Sequence, residues 1–185
     1  MSPQVYELRG QTRRIISAWP RYSRKLAEVM TDRYGPPSEA TPQMVMWQYN
    51  GPWKRTQVHR EGIPHNFPRP HFDVLSQTVD YRVPLDRYGE IGAFDGSIII
   101  DRTAGEVTAR CQTEEMNVLL LNLMHDIATG TIDARKGRAL CAKMSNIHRR
   151  HWSEPYVQEL QFPTNIYALN RETQTSDPDI SRRGY

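Results

Sequence analysis

A strongly apolar segment at residues 113–128 restricts the possible folds of this chain more than any other stretch. Thr113 can cap a helix there, and the acidic pair Glu114 and Glu115 would occupy its first turn, where carboxylates suit the helix dipole. The apolar side chains fall on more than one side of this helix; they are Met116, Val118, Leu119, Leu120, Leu121, Leu123, Met124 and Ile127. The pattern therefore predicts a helix that is buried on several sides.

Two hairpins are predicted before this helix. Residues 97–111 should pair Ile98 and Ile100 with Val107 and Ala109 across a turn at 103–106. Asn50-Gly51 is a strong turn signal between two β-favouring runs, although a short helix through residues 43–48 is the alternative. Strands followed by helices predict an α+β fold, with a mainly antiparallel sheet and helices packed on one face.

The two ends of the chain differ from this core. Residues 1–38 are predicted to form a basic N-terminal helical extension, in which Ser23 caps the second helix. Its apolar residues should pack on the core or on another subunit. Residues 39–151 form the predicted α+β core, with Thr131 capping its last helix, and residues 152–185 an extended segment and flexible tail.

Charge is distributed unevenly along the chain. The net charge is only +3, but two stretches, 9–25 and 135–151, hold twelve of the 24 basic residues and no acid, which leaves −9 on the rest. Such segregation indicates a surface for an anionic partner, and Trp19, Tyr22 and Trp152 lie close enough in sequence to stack on bases. The candidate anion-binding residues are Arg9, Arg13, Arg14, Arg21, Arg24, Lys25, Arg135, Lys136, Arg138, Lys143, Arg149 and Arg150.

Several function classes have no signal in this sequence. It contains no P-loop, no Rossmann glycine pattern, no G-x-S-x-G and no CxxC. No apolar run approaches the ~18 residues of a membrane span. Cys111 and Cys141 are too few for a disulfide scaffold, so we expect a reducing cytoplasm.

Histidines recur at an interval of six residues in the stretch His59 to Asp73, at positions 59, 65 and 71. Zinc ligands usually lie two to five residues apart, and Pro64, Pro68 and Pro70 favour extended backbone, in which six residues span ~19 Å. We therefore interpret the stretch as a structured surface loop. Only a loop that folds back could gather the histidines, and then His65, His71 and Asp73 are the metal-ligand candidates, although the sequence favours no metal.

Other chemically capable residues have ordinary explanations. Cys111 precedes a helix, where a dipole can activate a thiol, but a packing cysteine at a strand end is the favoured interpretation. His125-Asp126 is expected to be the polar edge of the core helix, satisfied by a neighbour, rather than an acid–base pair. His148 and His151 have a two-ligand spacing, but Arg149 and Arg150 between them oppose a cation.

Two function classes follow from these observations. The first is a non-catalytic binding or assembly protein. Through the two basic stretches it engages an anionic partner, which is nucleic acid, an acidic protein or an anionic lipid surface, or it binds a protein partner or a second copy of itself. The second is a small metal-dependent enzyme that uses His59, His65, His71 and Asp73. We favour the first, because every catalytic candidate has a structural explanation, and no cofactor is predicted.

Overall fold

A computed structural model describes residues 3–147 and 155–164 of this chain. The described residues form an α+β fold around a six-stranded antiparallel sheet, as predicted, with the strand order β1-β2-β3-β4-β6-β5. The strands are β1 (Glu39–Ala40), β2 (Met44–Asn50), β3 (Trp53–His65), β4 (His71–Asp80), β5 (Ile98–Asp101) and β6 (Glu106–Cys111). The helices are α1 (Pro3–Ile16), α2 (Arg21–Tyr34), α3 (Tyr88–Phe94), α4 (Glu114–Ala128), α5 (Ala134–Ile147) and α6 (Pro155–Gln158).

The apolar helix α4 is confirmed as the central element of the core. The Thr113 hydroxyl accepts a hydrogen bond from the Met116 backbone N–H at 3.3 Å and so caps the helix as predicted. Four consecutive or nearly consecutive leucines, 119, 120, 121 and 123, are almost completely buried. Because a single stripe cannot bury neighbouring residues, α4 must be covered by the sheet on one side and by other helices on the others.

Alternation along the strands separates the sheet into a helix-covered face and an open face. The predicted hairpin is confirmed down to its register, since Ile98 pairs with Ala109 and Ile100 with Val107. The hairpin at Asn50-Gly51 also forms, so residues 43–48 do not make the alternative helix. The helix-covered face carries Val45, Trp47, Val58, Leu75, Val79, Val107, Ala109 and Cys111; α2 contacts its β2–β3 side and α4 its β4–β6 side.

The N-terminal helices pack on the core, as their apolar residues predict. Ile16, Trp19, Leu26 and Met30 are buried against the β2–β4 part of the sheet. Ser23 was expected to cap α2, but the helix begins two residues earlier, after Pro20. The Ser23 hydroxyl instead donates a hydrogen bond to the Arg60 carbonyl oxygen at 2.7 Å, which ties α2 to β3.

Two further local predictions are corrected in the C-terminal part. Thr131 does not cap α5; the Asp133 carboxylate accepts the hydrogen bond from the Lys136 backbone N–H at 2.7 Å, and α5 begins at Ala134. The segment predicted to be extended from residue 152 contains α6, whose Val157 is fully buried against α4. The flexible tail predicted from Thr173 onward lies outside the described residues. Among the described helices, none has the length and apolar character that crossing a membrane requires.

Leu120→Asp tests the assignment of the core. The substitution places an unpaired charge at a position that is 1% exposed, so we expect it to lower the free energy of unfolding by ~4 kcal/mol or more. Leu85→Asp is the matched control, because Leu85 is 59% exposed and should lose little. Urea denaturation followed by circular dichroism measures both, and a stable Leu120→Asp protein would contradict the assignment.

Candidate metal centre

The histidine-rich stretch forms the end of β3 and the beginning of β4. His65 is the last residue of β3, His71 is the first of β4, and residues 66–70 connect them. The interpretation of the whole stretch as a loop is therefore wrong, and only 66–70 lie outside the strands. Because the chain folds back, His65 and His71 pair directly across the two strands, with ring centroids 5.0 Å apart.

An irregularity in β3 places His59 and His65 on opposite faces of the sheet. Val58 pairs with Leu75, but Ile63 pairs with Asp73, so β3 has three more residues than β4 between these two pairs. An odd number of extra residues reverses the alternation of side chains between the faces. His59 therefore lies on the open face, 3.0 Å from the Ser76 hydroxyl, whereas His65 lies on the helix-covered face.

Gly62 allows β3 to lie close to β4 after this irregularity. A Cβ atom at position 62 would approach Val74 Cγ1 to 2.7 Å and Phe72 Cβ to 2.8 Å, which is shorter than van der Waals contact allows. A larger residue would push the end of β3 away from β4. Gly62 is thus part of what brings His65 and His71 together.

Asp73 lies at the centre of the cluster that results, which we call the His/Asp cluster (His65, His71 and Asp73). Asp73 Oδ2 is 3.3 Å from His65 Nδ1, and Asp73 Oδ1 is 3.0 Å from His71 Nε2. One donor atom from each of the three residues lies within 4.8 Å of the other two. The Asp73 side chain is only 1% exposed, compared with 6% for His71 and 20% for His65.

Three more side chains surround the His/Asp cluster. The Ser97 hydroxyl donates a hydrogen bond to Asp73 Oδ2, and the Ser97 backbone N–H donates to Asp95 Oδ1 at 2.8 Å. That same Asp95 oxygen is 4.0 Å from His65 Nε2. Cys111, the last residue of β6, places its Sγ 3.4 Å from His71 Nε2.

The outer nitrogen of each histidine faces an oxygen atom. His71 Nδ1 is 2.7 Å from the Arg69 carbonyl oxygen, and since a carbonyl only accepts, this nitrogen carries a proton. His71 Nε2 therefore points inward. His65 is held less closely: Nδ1 lies 3.3 Å from Asp73 Oδ2, and Nε2 lies 4.0 Å from Asp95 Oδ1, which is beyond hydrogen-bond distance. Histidines that bind metals usually have their second nitrogen held by an oxygen, as His71 has.

Without a metal, the electrostatics of the cluster favour a charged His71. Its contact with Asp73, aided by Cys111, raises the pKa of His71 to about 10. Burial raises the pKa of Asp73, but the contacts with His71 and Ser97 outweigh it and leave that pKa below its usual value. Burial raises the pKa of Asp95 and also that of the Cys111 thiol.

Two carboxylate oxygens of this region accept no hydrogen bond from any residue that the structure describes. They are Asp73 Oδ1 and Asp95 Oδ2, and both are buried. Buried polar atoms without partners are uncommon, because desolvation then goes uncompensated. Asp73 Oδ1 lies 3.0 Å from His71 Nε2, a distance that suits an ion pair with a charged imidazole and also two ligands of one ion. Two imidazole nitrogens and a carboxylate oxygen suit zinc, iron or manganese.

The remaining candidates of the sequence are not brought into this cluster. His125 Nδ1 is 2.7 Å from the Tyr81 hydroxyl oxygen, and Asp126 accepts a hydrogen bond from the Tyr156 hydroxyl, so both are satisfied by neighbours as expected. Cys141 is buried on α5, and burial raises the pKa of its thiol to about 12. His148, His151, Arg149, Arg150 and Trp152 lie outside the described residues.

Basic residues of the first stretch meet at a cleft between α1 and α2. The cleft has a volume of about 590 Å³, and its charged lining residues are Arg9, Arg13, Arg24, Lys25, Glu28 and Asp32. Trp19 cannot stack on a base, since it is 4% exposed and its Nε1 donates to the Pro42 carbonyl oxygen. On α5, the Arg138 guanidinium lies 3.7 Å from the centre of the Phe67 ring and donates to the Phe94 carbonyl oxygen, so it has a structural role.

Sequence reasoning missed Asp95 and Ser97 as members of this region. Both follow α3 and precede β5, more than twenty residues from the histidines. Their only local signal is the acidic and hydroxyl pair in Asp95-Gly96-Ser97, which is typical of many turns.

Comparisons with known proteins give no further guide. No protein-family model matches this chain, and no curated protein or solved structure is significantly similar to it.

The raised pKa of His71 predicts how the stability of the metal-free protein depends on pH. A pKa raised from 6.5 to about 10 contributes stability that is complete below pH 6.5 and lost as the pH rises toward 10. The free energy of unfolding in the presence of a chelator should therefore fall between about pH 7 and about pH 9. His71→Gln should remove this slope and His59→Gln should keep it; an unchanged slope in His71→Gln would refute the assignment.

Proposed function

We propose that this protein is a metal-stabilised binding protein. In this proposal, His65, His71 and Asp73 hold one divalent transition-metal ion that fastens the ends of β3 and β4, and the folded chain engages an anionic partner at the cleft between α1 and α2. The observation that carries the metal site is the convergence of two imidazole nitrogens and a buried carboxylate, with the outer nitrogen of His71 held by the Arg69 carbonyl oxygen. The convergence was not expected from the sequence, which favoured no metal.

Burial of the site favours a structural ion over a catalytic one. A catalytic metal needs an open position that a substrate can reach. Asp73 and His71 are almost completely buried, and only His65 has a partly exposed side chain. A non-catalytic role therefore fits the site better than the metal-dependent enzyme that remains the rival. Two buried free cysteines agree with a reducing compartment, so the cytoplasm is part of the proposal.

Zinc titration of chelator-treated protein tests the metal site. We expect one ion per chain, and zinc at about 100 times its dissociation constant should stabilise the fold by ~2.7 kcal/mol. His71→Ala should abolish both effects. His59→Ala is the matched control, because His59 lies on the same strand but on the opposite face, and it should bind zinc like the unaltered protein.

Calorimetry and metal analysis of the dialysed protein measure the binding, and thermal unfolding measures the stabilisation. The metal site is refuted if the unaltered protein binds no transition metal, or if His71→Ala binds as tightly as His59→Ala. If removal of the metal leaves the stability of the protein unchanged but abolishes an enzymatic activity, the metal-dependent enzyme is favoured instead.

The proposal of an anionic partner rests on the positive side chains that line the cleft between α1 and α2. Four cations from two helices line one cavity of about 590 Å³, against two carboxylates, one of which lies 3.8 Å from Lys25. Positive charges that are gathered in a concave site raise the local concentration of anions. Nucleic acid, which carries a negative charge on every phosphate, is the partner that this proposal names; an acidic protein is the other outcome.

Binding of a single-stranded oligonucleotide at low and moderate salt tests this part. Affinity should fall with salt by roughly 0.7 log units per log unit of salt for each phosphate contact. Arg13→Ser with Lys25→Ser should weaken binding and reduce that slope, since both residues line the cleft. Arg135→Ser with Lys136→Ser is the control, because it removes the same charge from exposed positions on α5. Equal losses in both double variants would show that net charge, not the cleft, binds the oligonucleotide.

A further inference from the structure

The end of β6 brings a third strand to the His/Asp cluster. Cys111 is the last residue of β6 and pairs with Leu75 on β4, two residues beyond Asp73. Because alternate residues share a face, Cys111 lies on the same face as Asp73 and diagonally across from it. Its sulfur is thus directed toward the cluster by backbone pairing and not only by a side-chain rotation.

The distance between Cys111 and His71 fits two neighbouring ligands of one tetrahedral ion. The donors that already lie within 4.8 Å of one another are those of His65, His71 and Asp73, so the Cys111 sulfur has to move toward the other two residues when an ion binds. With Zn–N at about 2.0 Å and Zn–S at about 2.3 Å, a tetrahedral angle separates nitrogen and sulfur by about 3.5 Å. Cys111 Sγ is 3.4 Å from His71 Nε2. The same geometry separates nitrogen and oxygen ligands by about 3.3 Å. His71 Nε2 lies 3.0 Å from Asp73 Oδ1, and His65 Nδ1 lies 3.3 Å from the other oxygen, Oδ2, so the two histidines face different oxygens of the same carboxylate.

The contact between Asp73 Oδ1 and His71 Nε2 is the place where a metal cation could take over from the His71 proton. Asp73 Oδ1 is buried and accepts no hydrogen bond from the described residues, although a histidine nitrogen lies 3.0 Å away. Cys111 is itself 2% exposed, so water does not readily compensate either group. An ion among the four donors would satisfy the carboxylate oxygen and the sulfur together.

We propose that the Cys111 thiolate is the fourth ligand of the metal ion held by His65, His71 and Asp73. The inference rests on the metal site of the proposed function and deepens it. On binding, the S–H bond of Cys111 and the N–H bond at His71 Nε2 are replaced by bonds to the metal, and both protons are released to solvent. Four protein ligands close the coordination shell, and a thiolate among them selects zinc or cobalt over magnesium and calcium. The ion then fastens β3, β4 and β6 at one corner of the sheet.

Cobalt(II) substitution tests this ligand directly. Metal-free full-length protein is titrated with cobalt chloride and followed by absorption spectroscopy, in which a thiolate ligand gives a near-ultraviolet charge-transfer band and tetrahedral cobalt gives intense visible bands. The unaltered protein should show both. Cys111→Ser should lose the near-ultraviolet band and bind cobalt at least about tenfold more weakly. Cys141→Ser removes the other buried thiol and should keep the unaltered spectrum.

The outcomes separate this inference from the metal site on which it rests. Visible cobalt bands without a charge-transfer band in the unaltered protein would overturn Cys111 as a ligand and leave the three-residue site standing. A charge-transfer band that persists in Cys111→Ser but disappears in Cys141→Ser would also overturn it. No cobalt spectrum and no bound cobalt would overturn both. The presence or absence of the charge-transfer band is measured on the unaltered protein. The test therefore does not depend on whether Cys111→Ser folds.

Discussion

The register between β3 and β4 is the constraint on which the candidate site depends. The three additional residues of β3 reverse its alternation, and they turn His65 toward the helices while His59 faces the other way. Without them, two histidines six residues apart would share a face, and the pair that meets across the hairpin would not form. Gly62 is required there because the two strands approach too closely for a side chain.

Local patterns predicted the parts of the fold that local interactions determine. Helix α4 and the hairpin that precedes it were predicted with the correct cap and register, because an apolar pattern, a cap residue and a turn lie within a few residues of each other. Ser23 and Thr131 were assigned as caps wrongly. Both can cap a helix, but Pro20 and Asp133 lie at the actual helix ends.

The candidate site could be predicted only in part, for a physical reason. His65, His71 and Asp73 were named as a group, but their spacing was judged along one extended chain, in which six residues separate two side chains by a large distance. A hairpin converts that spacing into a direct cross-strand pair. Cys111 and Ser97 approach the site from other elements, and no pattern within either segment records which strand it will pair with.

The buried charges of this region explain why an ion matters to the proposal. Asp73 and Asp95 are both about 1% exposed, and a buried carboxylate costs several kcal/mol unless it is compensated. In the metal-free chain His71 supplies one positive charge for this purpose; a divalent cation would supply two. The basic cleft belongs to α1 and α2 and shares no residue with the cluster, so the two halves of the proposal can be tested separately.

The strand order has a consequence for how the protein behaves when it is concentrated. The longest strands, β3 and β4, are both interior, while the sheet ends on one side at β1, only two residues long, and on the other at β5, four residues long. An edge strand exposes unpaired backbone groups that another chain can extend into a fibril. The edge strands β1 and β5 therefore offer only short ladders to another chain. Because β1 pairs with only Val45 and Met46 of β2, the remainder of β2 is the part of this side of the sheet where another strand could add.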